Sequence, residues 1–102
     1  MIKEENILTV RSVIGDKVYN PEGEELGCVR DMLIDPETGK IAYGVLTFRG
    51  CSDGGDVKKF AVPYEAFVLN EEKDCFTLNV DKEMLEKAKS QDTYQGNKYY
   101  VY

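Results

Sequence analysis

Histidine is absent from the 102-residue sequence, and this absence excludes several kinds of active site. Without it the chain cannot form a Ser-His-Asp triad, a Cys-His nucleophile pair, a histidine proton shuttle or a zinc site with imidazole ligands. The only cysteines are Cys28, Cys51 and Cys75, which lie more than twenty residues apart and form no C-x-x-C pair. We therefore expect reduced thiols, with no metal and no cofactor.

Long apolar runs and large clusters of positive charge are missing as well. No run of about 18 apolar residues is present, and the first residues lack the apolar segment of a secretion signal, so we expect a cytoplasmic protein without membrane insertion. Thirteen basic residues face 19 acidic ones, and the net charge of −6 disfavours direct nucleic-acid contact. The longest basic cluster, Lys58-Lys59, is interpreted as solvent-facing residues of an edge strand.

The composition that is present, 42% hydrophobic and 31% charged residues, is typical of one globular domain. Periodicity divides the chain into an N-terminal extension over residues 1–11, a folded domain over residues 12–90 and a tail over residues 91–102. Four of the seven tyrosines lie in that tail, namely Tyr94, Tyr99, Tyr100 and Tyr102.

Glycine and proline divide the domain into short strands joined by turns. The sequence Asp-Pro-Glu-Thr-Gly at residues 35–39 predicts a turn that joins strands at residues 26–35 and 40–48 into a hairpin. Residues 67–69 and 76–80 predict a second hairpin. In the first strand, Val29 and Leu33 have one parity and Met32 and Ile34 have the other. That strand is therefore either covered on both faces or shifted in register by a bulge near residues 30–31.

A short helix follows the last predicted strand. Asp81 is a typical N-cap for a helix over residues 82–89, and Met84, Leu85 and Ala88 form an apolar stripe that we expect to cover the core. The fold class predicted from these elements is all-β: a small, strongly bent antiparallel β-barrel of about six strands with one short C-terminal helix. Closure removes the exposed edges that an open sheet would leave.

The order and spacing of several short motifs resemble those of the PRC-barrel family. The motifs occupy residues 14–18, Gly23, and residues 26–31, 35–43 and 61–64, and the match spans roughly residues 12 to 89. This family includes the H subunit of the photosynthetic reaction centre and the C-terminal domain of the ribosome maturation factor, which binds a small-subunit protein. The resemblance implies a small bent β-barrel that acts mainly through protein contacts. The tyrosine-rich tail lies outside the matched region.

The function predicted from these features is a non-enzymatic adaptor that binds other proteins and forms a homodimer. Catalytic residue types are scarce, and tyrosine is enriched in protein interfaces. We predict partner or dimer contacts by the four tail tyrosines, Tyr94, Tyr99, Tyr100 and Tyr102, together with Arg49 and Cys51. The alternative for the tyrosines is that they pack back on the same barrel or are disordered. No catalytic, cofactor-binding or metal-binding residue is assigned.

Other functions remain open at this point. Asp31 and Asp35 are the candidates for acid–base catalysis, although a role in holding turns and backbone N–H groups fits them better. Cys51 is a candidate redox thiol with Arg49 as its only nearby cation. The family resemblance adds two alternatives: an accessory module in RNA processing or ribosome assembly that acts through a protein partner, and an archaeal-type cell-division adaptor.

Overall fold

Strands make up most of the structure. The computed structural model describes residues 8–50, 58–70, 72–89, 91–94 and 96–101. In chain order its strands are β1 (Lys17–Tyr19), β2 (Glu25–Asp35), β3 (Lys40–Phe48), β4 (Lys58–Pro63), β5 (Phe67–Asn70), β6 (Cys75–Leu78), β7 (Gln91–Tyr94) and β8 (Asn97–Val101). The helical elements are α1 (Val10–Val13), a 3-10 turn (Tyr64–Ala66) and α2 (Lys82–Lys87). The predicted all-β class is confirmed.

The described strands form a single sheet in the order β5-β6-β1-β2-β3-β4-β8-β7. Three features correct the predicted antiparallel barrel. The sheet has eight strands rather than six, and no pairing among the described residues joins its outermost strands, β5 and β7, into a closed ring. Two pairs, β1 with β6 and β4 with β8, are parallel rather than antiparallel. Both join strands that are distant in sequence, and strand periodicity carries no information about such pairings.

The β2–β3 hairpin matches its prediction closely. Asp35 accepts a backbone hydrogen bond of 2.8 Å from Gly39, whose φ is +73°, and its side chain accepts one of 2.9 Å from the Glu37 N–H. The register shifts between Val29 and Asp31, where the sequence placed a bulge, and shifts again between residues 33 and 34. These local signals therefore fixed the position of the longest hairpin.

Both faces of the central strands are covered. Leu46 and Phe48 of β3 belong to the main core, whereas Val45 belongs to a second cluster on the opposite face. The fully or nearly fully buried members of the main core are Val13, Val18, Leu26, Val29, Leu46, Phe48, Phe60, Val62, Phe76, Leu78, Val80 and Leu85. The two explanations offered for the mixed parity of β2, cover on both faces and a bulge, are therefore both correct.

Helix α2 begins as predicted but covers the core with less of its surface. The Asp81 side chain accepts a hydrogen bond of 3.0 Å from the Glu83 N–H, which confirms the N-cap. Leu85 is buried and Ala88 packs against the core, whereas Met84 is 67% exposed. Adjacent residues of a helix point about 100° apart, so the orientation that buries Leu85 leaves Met84 toward solvent.

The cysteines differ from the prediction of three reduced thiols. Cys28, on buried strand β2, is disulfide-bonded, and Cys75 at the start of β6 is a free, buried thiol. Cys51 lies outside the described residues. The wide spacing of the cysteines in the sequence favoured reduced thiols. Residues that are far apart in the sequence can nevertheless be neighbours in a folded sheet.

Candidate functional site

The tyrosine-rich segment is an integral part of the sheet. Strand β8 pairs with β4, with Phe60 opposite Tyr100. Tyr100 lies on the main-core face, where its ring centroid is 5.1 Å from that of Phe60. Tyr99 points to the opposite face, is only 4% exposed and packs in one cluster with Val45 and Ala61. In this structure these two tyrosines therefore contact the domain's own strands.

The other residues predicted as partner contacts have different surroundings. The exposed Arg49 side chain pairs with Glu86 of α2, and its guanidinium lies 5.6 Å from the centre of the Phe48 ring. Of Tyr94, the last residue of β7, only the backbone is described, and Cys51 and Tyr102 lie outside the described residues. Arg49 thus links the end of β3 to α2, and a contact with a partner stays a prediction for all of these residues.

Lys58 has a structural role that the sequence reading missed. Its strand β4 lies between β3 and β8, so Lys58 and Lys59 are not on an edge strand as predicted. The Lys58 ammonium donates to the carbonyls of Leu85 and Ala88, at 3.3 and 3.2 Å, and to that of Glu86. These carbonyls form the C-terminal end of α2, where the helix dipole favours a cation. A contact between β4 and a helix more than twenty residues away has no local sequence signal.

Replacing Lys58 by methionine is expected to lower the free energy of unfolding by about 1–2 kcal/mol. The variant keeps an apolar stem but leaves the last carbonyls of α2 without their donor. Thermal unfolding followed by circular dichroism measures the effect. Lys59→Met is the control, since the Lys59 ammonium makes no such contact with the described residues. An equal loss of stability in both variants would contradict the capping role.

A groove of about 800 Å³ separates the tip half of the β2–β3 hairpin from β7. We call it the hairpin groove. Its lining residues are Met32, Leu33, Ile34, Asp35, Ala42 and Tyr43 from the hairpin and Thr93 from β7. Five of these are apolar or aromatic, and Ile34 is 60% exposed. Partly exposed apolar side chains that line one groove of a highly charged chain make this groove a candidate interaction site.

Carboxylates are found on both elements that form the hairpin groove. Asp35 lines it, and the exposed Asp92 of β7 lies opposite Tyr99 in the β7–β8 pair. Burial of the phenol and, secondarily, the Asp31 carboxylate raise the pKa of Tyr99. Asp31 and Tyr99 are therefore close in space although β2 and β8 are separated by two strands.

A second cavity, of about 520 Å³, lies between the turn that follows β1 and the connection between β5 and β6. Its lining includes Lys17, Asn20, Lys73 and Cys75. The buried Asn20 side chain is fully engaged with Glu24: it donates to the carboxylate at 2.8 Å and accepts from the Glu24 N–H at 2.9 Å. This amide therefore holds the turn closed rather than pointing into the cavity for a ligand.

A comparison with protein families decides the classification. The family model described as PRC-barrel domain matches residues 5–85, which is most of the chain. The chain belongs to the PRC-barrel domain family. The resemblance inferred from the order of its turns and strands is thereby confirmed.

The PRC-barrel domain also resembles a solved structure of a larger protein. That structure is RimM from Pseudomonas aeruginosa, described as a 16S ribosomal RNA processing protein. The TM-score is 0.50 at 16% identity, and the match covers 80% of this chain and 50% of the other. The chain thus spans about half the length of this relative, and at this identity the likeness shows the fold alone. No curated protein matches the chain.

The acidic residues considered for catalysis have structural partners in the PRC-barrel domain. Asp31 accepts a hydrogen bond of 2.8 Å from the Met32 N–H, and Asp35 holds the hairpin turn. Among the described residues, no group of three or more cysteine, aspartate or glutamate side chains is arranged to hold a metal ion. No helix in the described part of the chain is long and apolar enough to cross a membrane.

Asp16 gives the PRC-barrel domain a predictable response to pH. Burial and, secondarily, the Asp74 carboxylate raise the pKa of Asp16 above its ordinary 3.8. The folded state therefore binds this proton more tightly than the unfolded state. The Asp16 carboxyl stabilises the folded state most when the pH is below its ordinary pKa. This stabilisation is lost as the pH rises through the pKa of Asp16 in the folded state.

Asp16→Asn is accordingly expected to raise the melting temperature at pH 7, because it removes a partly desolvated charge that faces Asp74. The gain should shrink as the pH is lowered toward 3.8, where the wild-type carboxyl is itself protonated. Thermal unfolding across this pH range measures the difference, with the exposed turn variant Glu37→Gln as the control. A gain that does not depend on pH would contradict the electrostatic explanation.

Proposed function

We propose that this PRC-barrel domain is a non-enzymatic adaptor that binds other proteins and forms a homodimer. The observation that carries the proposal is the hairpin groove, which exposes apolar side chains such as Ile34 on a chain of net charge −6. Apolar side chains that are exposed in the free domain are buried favourably when a partner protein covers them. The hydrogen bonds of Asp31 and Asp35, which engage backbone groups, support a structural rather than catalytic use of these carboxylates.

Affinity capture from the native cells tests the adaptor role. The wild-type domain is compared with Ile34→Asp, which places a charge in the groove, and with Val68→Asp, which changes an equally exposed strand residue on β5. We expect one or more proteins to co-purify with the wild type and with Val68→Asp but not with Ile34→Asp. Absence of any specific partner for the wild type would contradict the proposed function.

The homodimer is tested separately by sedimentation velocity at micromolar concentration. A dimer that persists upon dilution through this range supports the proposal, and a monomer throughout contradicts it. Measurement without a partner present keeps this result independent of the capture experiment.

A role in ribosome assembly through a protein partner is the second candidate. It is favoured by the structural similarity to RimM, which is described as a 16S ribosomal RNA processing protein. The net charge of −6 favours contact with a basic ribosomal protein over contact with RNA. We expect ribosomal proteins among the captured partners and no salt-dependent binding of the isolated domain to rRNA. Direct, salt-dependent RNA binding would contradict this form of the proposal.

A cytoplasmic location completes the proposal, and the disulfide at Cys28 provides its test. Because structural disulfides are rare in a reducing cytoplasm, a chain located there would carry Cys28 as a thiol, in contrast to the disulfide of the structure. An alkylating reagent that is present when cells are lysed and the chain is denatured would then label Cys28. Mass spectrometry then reports the number of alkylated cysteines. Full protection of Cys28 would instead place the chain in an oxidising compartment.

A further inference from the structure

We infer that the hairpin groove and the open edge of β7 together bind an extended, basic segment of a partner protein, which adds as a strand beside β7. This inference rests on the proposed adaptor function and names the surface and the chemistry of the partner. The two parts of the surface are adjacent because Thr93 of β7 lines the groove.

The edge of β7 supplies backbone hydrogen-bonding groups. Strand β7 is the outermost of the described strands, and its register with β8 places Tyr94 opposite Asn97 and Thr93 opposite Lys98. Across a two-residue hairpin connection the flanking residues form a hydrogen-bonded pair, and pairs alternate along the ladder. The N–H and C=O of Thr93 are therefore directed away from β8, toward the open edge, where an added strand can pair with them.

The groove supplies sites for side chains. A strand added beside β7 presents alternate side chains to each face, about 7 Å apart. On the groove side these side chains meet an apolar lining that includes Leu33, Ile34 and Tyr43. Such a surface therefore favours a segment with an apolar residue at every second position.

Charge selects a basic segment over a second copy of this chain. Asp35 lines the groove, Asp92 lies on β7 itself, and Asp31 lies near the neighbouring Tyr99. Lys40 and Lys98 offset part of this charge, but the chain as a whole carries −6. At this edge two copies would bring like charges together, whereas a lysine- or arginine-containing segment is attracted to them, so the proposed homodimer is expected to use another surface.

The opposite edge of the sheet provides an internal control. Strand β5 has the sequence Phe-Val-Leu-Asn and contains no charged residue. Its Val68 is 63% exposed, close to the 60% of Ile34. Matched aspartate substitutions at Val68 and Ile34 therefore separate an effect specific to the hairpin groove from a general effect of charge on an exposed strand.

Selection of a random dodecapeptide library displayed on phage against the immobilised full chain tests the inference. We expect enriched peptides to carry lysine or arginine and apolar residues at alternating positions. Synthetic copies of these peptides are then measured by fluorescence anisotropy against the wild type and four variants: Ile34→Asp, Thr93→Pro, Asp92→Lys and Val68→Asp. Circular dichroism verifies that each variant is folded.

Ile34→Asp and Thr93→Pro are each expected to weaken peptide binding by about tenfold or more, through loss of the apolar contact and of one edge donor respectively. Asp92→Lys should weaken binding more at low salt than at high salt. Val68→Asp should leave it unchanged. If Thr93→Pro does not fold, the Ile34→Asp and Val68→Asp pair still decides the result.

Several results would overturn the inference. These are enrichment of acidic peptides, binding that survives both Ile34→Asp and Thr93→Pro, or failure to enrich any peptide. A homodimer that Thr93→Pro dissociates would show that a second copy occupies the edge, which also overturns it. In each case the adaptor function stands if native partners are still captured by the wild type, and that function fails only if no partner is captured.

Discussion

Replacement of Gly27 by alanine is expected to lower the free energy of unfolding by more than about 4 kcal/mol, a large part of a typical domain's stability. Gly27 has a φ of +156° and lies opposite Phe48 in the antiparallel pair of β2 and β3. A Cβ added here would stand 1.8 Å from the carbonyl oxygen of Thr47. Because the obstacle is backbone in the middle of the sheet, no side-chain rotation relieves the clash. Urea denaturation followed by circular dichroism measures the loss.

Gly23→Ala is the matched control for this prediction. Gly23 also has a positive φ, +85°, but nothing lies within 4 Å of an added Cβ. Its substitution should therefore introduce only backbone strain, about 1–2 kcal/mol. Similar losses for the two variants would contradict the close approach of β2 and β3 at Gly27.

Tyr99→Ala is expected to destabilise the domain by about 3 kcal/mol, as is usual when a buried aromatic ring is removed from a core. The ring covers Val45 and Ala61 on the face of the sheet opposite the main core. Its loss leaves a cavity there and weakens the attachment of β8 to the sheet. Urea denaturation again measures the effect, with Tyr99→Phe as the variant that keeps the ring.

Tyr99→Phe should also change the response to alkaline pH. Burial and the Asp31 carboxylate raise the pKa of Tyr99 above its ordinary 10.0, so the folded state favours the neutral phenol. This contribution is fully present below pH 10.0 and is lost as the pH rises through the folded-state pKa. The phenylalanine variant should lose less stability than the wild type in that range. Nearly unchanged stability of Tyr99→Ala would show that the ring does not cover the sheet.

Local signals predicted the parts of the fold that local chemistry determines. The turn at residues 35–39, the bulge near Asp31 and the Asp81 cap each depend on residues that are neighbours in sequence. The parallel pairs of β1 with β6 and of β4 with β8 depend on residues far apart in the chain. Residues 97–101 lack a clear alternation because Tyr99 and Tyr100 are covered on opposite faces. The lack of alternation therefore led to the prediction of a tail where the structure has strand β8.

The candidate site was only partly accessible to sequence reasoning. The tail tyrosines were predicted to contact a partner or a second copy, with packing on the same barrel as an alternative. Tyr99 and Tyr100 pack within the domain, and their contact with a partner stays a prediction. The hairpin groove escaped detection because one wall comes from residues 32–43 and the other from Thr93. Lys58 was missed for the same reason, since its helix contacts lie more than twenty residues away.

Amide hydrogen exchange across β8 tests most directly the central claim, which is that the tyrosine-rich segment completes the sheet and thereby creates the β7 edge and its groove. The parallel pairing with β4 predicts that the amides of Tyr100 and Val101 in the free chain include slowly exchanging ones, with protection comparable to that in β3. Nuclear magnetic resonance should also detect contacts between Phe60 and Tyr100. Exchange throughout residues 91–101 at the rate of an unstructured peptide, without such contacts, would contradict the account.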